Sequence, residues 1–130
     1  FASDLMAARG IALDFRADAG VNERKLSAEQ RRNVFLISKE LLHNTVKYAD
    51  ARQVNIMLAT AGRSLELTIG DDGKGFDPDN TDSYDGNGLP NMRARAAAVG
   101  AEFTIDSAPG KGTRARIVLA QQVFTPRSGD

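Results

Sequence analysis

From Asp71 to Gly88 the chain carries six aspartates, four glycines and two asparagines, with almost nothing apolar beyond Phe76 and Tyr84. No core can be built from such a stretch. It follows directly on the alternating run "LELTIG" and precedes a second set of apolar segments, so the chain must fold as two structured halves joined by a long loop at a strand end. A connection longer than about 12–15 residues without structure of its own is ordinarily functional or disordered.

The obvious ligands for an acidic, glycine-rich loop do not fit. A calcium loop places oxygen ligands at alternate positions, glycine at the sixth and a bidentate glutamate at the twelfth. Counting from Asp77 puts Asp82 and Gly88 at those two positions, and counting from Asp71 puts Gly73 and Gly75 where ligands belong. A phosphate loop needs serine or threonine after its lysine, but Lys74 is followed by Gly75 and Lys111 by Gly112. The dinucleotide fingerprint needs glycine where Pro78 or Asn91 stands.

On either side, periodicity predicts regular elements. "IALDFR" places Ile11, Leu13 and Phe15 on one face of a half-buried strand. Ser27 and Gln30 form a capping box that opens a long helix through Ala49. Val34, Ile37, Leu41, Leu42 and Ala49 lie on its apolar side, with Lys39, Glu40, His43, Asn44 and Lys47 on the other. "QVNIML" and "LELTIG" alternate as a hairpin across "ATAGRS". After the loop, "LPNMRARAAAV" reads as a helix with Pro90 in its first turn and Gly100 as its left-handed stop. "EFTIDS" and "TRARIVLA" form another strand pair across "APGKG". Two helices need one sheet face to cover. The expected fold is a two-layer α/β sandwich whose mixed, mainly antiparallel sheet is covered on one face by helices.

At 130 residues this is one domain, expected over 1–130 with a tail at about 121–130. Seventeen basic and seventeen acidic residues cancel, which advertises no nucleic-acid partner. Without cysteine there is no disulfide framework or thiolate metal site. No apolar run approaches the roughly 20 residues that span a bilayer, and "FASDLMAARG" lacks the regions of a signal peptide. Because the first residue is Phe1, a piece of a longer protein is expected.

Four polar signals remain. At about 100° per residue, Glu40, Asn44 and Lys47 share a sector of about 60° on the first helix. Alone, such a stripe is ordinarily a solvated face. The pattern of Asp71, Gly73 and Gly75 offers a carboxylate that can accept from an amine, beside glycines that let a flat ring approach. "GNGLPNM" sets Gly86 and Gly88 ahead of a helix N-terminus, where free amides favour anionic oxygens. "GKGT" alone reads as a hairpin turn.

In this order the four signals resemble the nucleotide-binding domain shared by gyrase, heat-shock ATPase chaperones, sensor histidine kinases and mismatch-repair ATPases. "ELLHNTVKYADA" resembles the asparagine box, "DDGKGFD" the first glycine box, and "GNGLPNMRARAAAVGAEFTIDSAPGKGT" the second box and its continuation. This last stretch most resembles nitrate-sensor-type kinases. The resemblance implies the Bergerat-type fold, ATP and magnesium, and a role for each matched position. Asp71 would hold the adenine amine, with Gly73 and Gly75 near the ring and Thr113 supporting the pocket. Asn44 would ligate magnesium, and Glu40 would orient a bound water or assist the chemistry. Lys47 would reach the phosphates, the loop through Gly86 and Gly88 would act as an ATP lid over about 73–88, and Leu89 just after it would bind nucleotide. Tyr48 stands where such kinases often carry histidine; its phenol can donate a hydrogen bond but cannot be cationic.

Transfer of the ATP γ-phosphoryl group to a histidine is the implied reaction. His43, the sole histidine, lies inside the nucleotide-binding helix and reads as a polar surface residue. The acceptor is therefore expected on a dimerisation domain preceding Phe1, with a response regulator downstream, a homodimer only in the full-length protein, and this domain in the cytoplasm. An ATP-gated switch or ATPase, and an anti-sigma-type serine kinase, remain as alternatives on the same fold.

Overall fold

The structure, a computed structural model, describes residues 6–8, 10–17, 26–75 and 88–120. Most of the expected lid, at 76–87, and the tail at 121–130 lie outside the described residues.

Strand β1 (Ala12–Ala17) leads to helix α1 (Ala28–Asn44), which runs on into a π-helical turn at Thr45–Ala49. Strands β2 (Gln53–Ala61) and β3 (Ser64–Asp71) form the first hairpin, turning at Gly62 with φ 60°. Helix α2 (Gly88–Ala98) precedes β4 (Glu102–Ser107) and β5 (Thr113–Ala120). The five strands make one sheet in the order β1-β2-β3-β5-β4. Only the β1–β2 pair, whose crossover contains α1, is parallel, so the sheet is mixed and mainly antiparallel as expected.

Local chemistry starts and stops the helices where the sequence predicts. Ser27 Oγ accepts from Gln30 N at 3.0 Å while Gln30 Oε1 accepts from Ser27 N at 2.9 Å, closing the capping box. Gly100, at φ 67°, ends α2 in a Schellman motif: its N–H donates to Ala97 O and that of Ala101 to Ala96 O.

The strand register decides which side chains share a face. Phe15, Ile56, Ile69, Ala115 and Ile105 align across the sheet, as do Ala17, Leu58, Leu67, Ile117 and Phe103. Directly paired residues point to the same side, and these rows carry the core. Ile37, Leu41 and Leu42 of α1 and Leu89, Met92 and Ala96 of α2 pack against it. The opposite rows hold Asn55, Thr68, Arg114, Arg116 and Asp106 on the face that, among the described residues, no helix covers, where a concavity of about 1040 Å³ lies.

Two expectations need correction. Phe15 points to the core side but is 56% exposed: β1 is an edge strand, and of its apolar residues it is Leu13 that packs against the core. The first helix is not uniform to Ala49: its last turn is π-helical, with a wider i→i+5 bonding pattern than the 100° sector assumes.

Ile117, 1% exposed at the centre of the core, has no room to relax. Ile117→Ala is expected to cost about 2–5 kcal/mol, read as a lower urea midpoint at unchanged m; a cost within the error of the midpoint would contradict this placement.

Candidate functional site

One row of the sheet breaks the apolar pattern. Leu13 and Val54 begin it, and Asp71, Thr113 and Ser107 continue it on the core-facing side at the end of the sheet. A carboxylate and two hydroxyls thus gather where α1 and its π turn close over the sheet. Thr113 Oγ1 lies 2.9 Å from Ser107 Oγ, which also bonds Gly112 O at 2.8 Å.

Asp71 is held from two sides. Its Oδ1 accepts from Gly73 N at 2.8 Å, and its Oδ2 from the Thr45 hydroxyl at 3.3 Å. Burial pushes its carboxyl above the ordinary value of 3.8, against the pull of the Gly73 N–H and the Thr45 hydroxyl. The neighbouring Asp72 charge adds to burial, and the Thr113 backbone opposes it. Asp72 points elsewhere: its Oδ1 accepts from Arg52 N and Gln53 N at 2.8 and 2.9 Å, which holds its carboxyl low and ties the loop to the start of β2.

The glycines of two distant segments interlock beside this carboxylate. Gly75 sits at φ 65°, and a Cβ there would stand 2.2 Å from Ala108 O and 2.7 Å from Gly112 O. Gly112, at φ 74°, would place a Cβ 2.3 Å from Asp71 O. Gly110 N donates to Lys74 O at 2.6 Å, joining the turn to the loop. "GKGT" is therefore both the expected hairpin turn and a wall of the site. The neighbour that needs Gly75 bare is the chain's own backbone.

On α1, Glu40 is half-buried and Lys47, in the π turn, is exposed. Asn44 is 3% exposed, so it does not lie on a solvated face; it belongs to the buried end of the helix, as do Leu41, Leu42 and Thr45. Gly88 opens α2, and Leu89, expected near nucleotide, is 3% exposed within the hydrophobic core. Tyr48 lies in the π turn with its side chain outside the described residues, as is Gly86. Thr45, Asp72 and Ser107 escaped sequence reasoning. A hydroxyl-bearing, β-branched residue beside Asn44 was a faint signal for the first; the others depend on strand register.

Among the described residues no cluster of three or more His, Cys, Asp or Glu side chains could cage a metal. An amide and a carboxylate one helical turn apart, Asn44 and Glu40, instead suit a hard cation that keeps waters and nucleotide oxygens.

A mixed sheet with helices packed on one face, and an aspartate, glycines and threonine at its end, is the arrangement expected of a nucleotide-binding α/β sandwich. The chain belongs to the family of histidine kinase-, DNA gyrase B- and HSP90-like ATPases, which it matches over residues 29–123. It is of the histidine kinase type. It is 35% identical over 106 residues to the sensor protein VraS of Staphylococcus aureus, covering 80% of this chain and 27% of the relative. It is 34% identical over 119 residues to VraS of Staphylococcus epidermidis, covering 90% and 31%. The chain thus spans less than a third of the curated relatives it matches. The histidine kinase domain of a blue-light activated kinase from Erythrobacter litoralis superposes with a TM-score of 0.71 at 25% identity, covering 92% of this chain and 57% of that one. Acinetobacter baumannii histidine kinase AdeS shares the fold, with a TM-score of 0.73 at 16% identity over 92% of this chain and 59% of that one.

A carboxyl whose folded value exceeds its unfolded one favours the folded state while protonated; that contribution is present below the unfolded value and is lost as pH rises through the folded one. Asp71→Asn removes the slope and mimics the neutral form. Without nucleotide at pH 7 it should melt at or above wild type, by up to about 4 °C; a clear drop at neutral pH would contradict the desolvation argument. Gly110→Ala, with nothing within 4 Å, meets only the left-handed strain of about 1–2 kcal/mol. Gly112→Ala must also displace Asp71, so its melting temperature should fall well below that of Gly110→Ala.

Proposed function

We propose that this chain is the nucleotide-binding half of a two-component sensor histidine kinase, and that it presents the ATP γ-phosphate to a histidine on a dimerisation domain outside the chain. The observation that carries the reading is the Asp71 carboxylate, desolvated on the core side of the sheet end and fixed by Gly73 and Thr45. An ionised carboxylate has about four acceptor sites, so beside the bonds from Gly73, Thr45 and the Thr113 backbone it still accepts from the exocyclic amine of adenine. Thr113, opposite Asp71 in the register, supports the same end of the pocket.

Asn44 is the residue that would hold magnesium, Glu40 would orient a water bound to it or assist the chemistry, and Lys47 and Tyr48 would meet the phosphates. Magnesium, when bound, offsets negative charge on the β and γ phosphates. Gly73, Gly75, Gly86, Gly88 and Leu89 frame the lid. In the transfer, an imidazole nitrogen of the acceptor attacks the γ-phosphorus and the bond to the β–γ bridging oxygen breaks. ADP departs, and the imidazole proton passes to an acidic neighbour in the acceptor domain, with Glu40 assisting from this chain. The work of this domain is to position the reactants.

A response regulator would take the phosphoryl group onward, the dimer would form through the acceptor domain, and this domain would lie on the cytoplasmic side of any membrane anchor. Among the described residues no helix is long and apolar enough to cross a membrane. Basic and acidic residues, 17 of each, cancel over the chain, which gives no electrostatic argument for a nucleic-acid partner.

Calorimetric titration with ATP and ADP, with and without magnesium, tests the reading directly. Magnesium-sensitive binding by the native chain and its loss in Asp71→Asn are expected; a folded native chain that binds neither nucleotide would overturn it. With an acceptor domain supplied in trans, Glu40→Gln should keep ATP affinity and slow phosphoryl transfer by about 10²–10⁴. ATP turnover by the isolated chain well above background would instead favour an ATPase or switch.

A further inference from the structure

Thr45 is 5% exposed, and its hydroxyl has two acceptors within reach: Leu41 O at 3.1 Å and Asp71 Oδ2 at 3.3 Å. A hydroxyl has one proton, so it donates to one of them at a time. Back-bonding to the carbonyl four residues earlier is common for serine and threonine in helices, and Ser38 does it here to Val34 O at 2.8 Å. One feature separates Thr45 from that ordinary case. The second acceptor belongs to a strand end 26 residues away, in the row that carries Thr113 and Ser107.

We propose that Thr45 is a positioning residue for Asp71: its hydroxyl holds Oδ2 while the Gly73 N–H holds Oδ1, so that the plane of the carboxylate is set before adenine arrives. This rests on the reading of Asp71 as the adenine acceptor. When Asp71 is ionised the hydroxyl turns to Oδ2. When Asp71 is protonated the bond reverses: Asp71 donates to Thr45 Oγ1, and the hydroxyl returns to Leu41 O. Thr45 thereby favours the ionised, amine-accepting form at a place where burial favours the neutral one. Among the described residues, the charge bearing on Asp71 is that of Asp72, which substitution at Thr45 leaves in place.

The test uses this chain with Thr45→Val, Thr45→Ala, Thr45→Ser and Asp71→Asn, titrated with ATP and ADP from pH 5 to 8. Thr45→Val keeps the shape and removes the hydroxyl; its affinity for both nucleotides should fall about tenfold, and the pH midpoint for binding should move up. Thr45→Ser should restore affinity to within about threefold of wild type. Those results, with binding lost in Asp71→Asn, bear the proposal out. Unchanged affinity and midpoint in Thr45→Val while Asp71→Asn loses binding would overturn the positioning role and leave the adenine site standing. Unchanged binding in Asp71→Asn would overturn both. If Thr45→Val does not fold, Thr45→Ala carries the same expectation, and weakened binding with no shift of midpoint and no recovery in Thr45→Ser would mark a packing role only and overturn the proposal.

Discussion

The antiparallel pairing of β3 with β5 is the constraint on which the rest of this molecule depends. It sets Asp71 opposite Thr113, and since paired side chains share a face, it delivers a carboxylate to the side of the sheet the helices cover. A slip by one residue would turn that row to solvent and every core residue of β5 with it. Ala115, Ile117 and Leu119 resist such a slip, being nearly inaccessible on the same face. The apolar register that builds the core is therefore also what aims the site.

Placing a carboxylate there is unfavourable in the absence of a partner, because burial opposes its charge. The surroundings offset this only in part, with the backbone amides of Gly73 and Thr113 and the Thr45 hydroxyl. The result is an acceptor that is incompletely satisfied by the protein and therefore receptive to a donor from a ligand. Asp72 makes the contrast plain. One residue along the chain, exposed and bonded to two backbone amides, it is a satisfied structural anchor.

Much of this was legible in the residues. Alternation in "LELTIG" and "TRARIVLA" marked strands whose inward positions are buried, and Ser27, Gln30 and Gly100 marked helix ends correctly, because these signals are local. Phe15 was misjudged because period-two alternation reports a face and not whether anything covers it. Asn44 is more enclosed than a polar helix stripe suggests, because helical phase assigns a side but cannot say how far packing wraps around it. Thr45 and Ser107 were missed for a different reason: their partners come from other strands and helices. The resemblance to ATP-binding domains located Asp71, but only the folded geometry connects it to Thr45.

The strand order has one more consequence. β5 enters the sheet between β3 and β4, after the chain has passed through the long acidic loop and α2. Closing that pairing joins residues far apart in sequence, a step whose loss of chain entropy is met only when the sheet is completed. An intermediate holding α1 and the β2–β3 hairpin would contain Thr45 and Asp71 but neither Thr113 nor the glycine turn. Nucleotide would then engage the finished fold in preference to its precursors, acting as a selective ligand of the native state and pulling the last strand pairing toward completion.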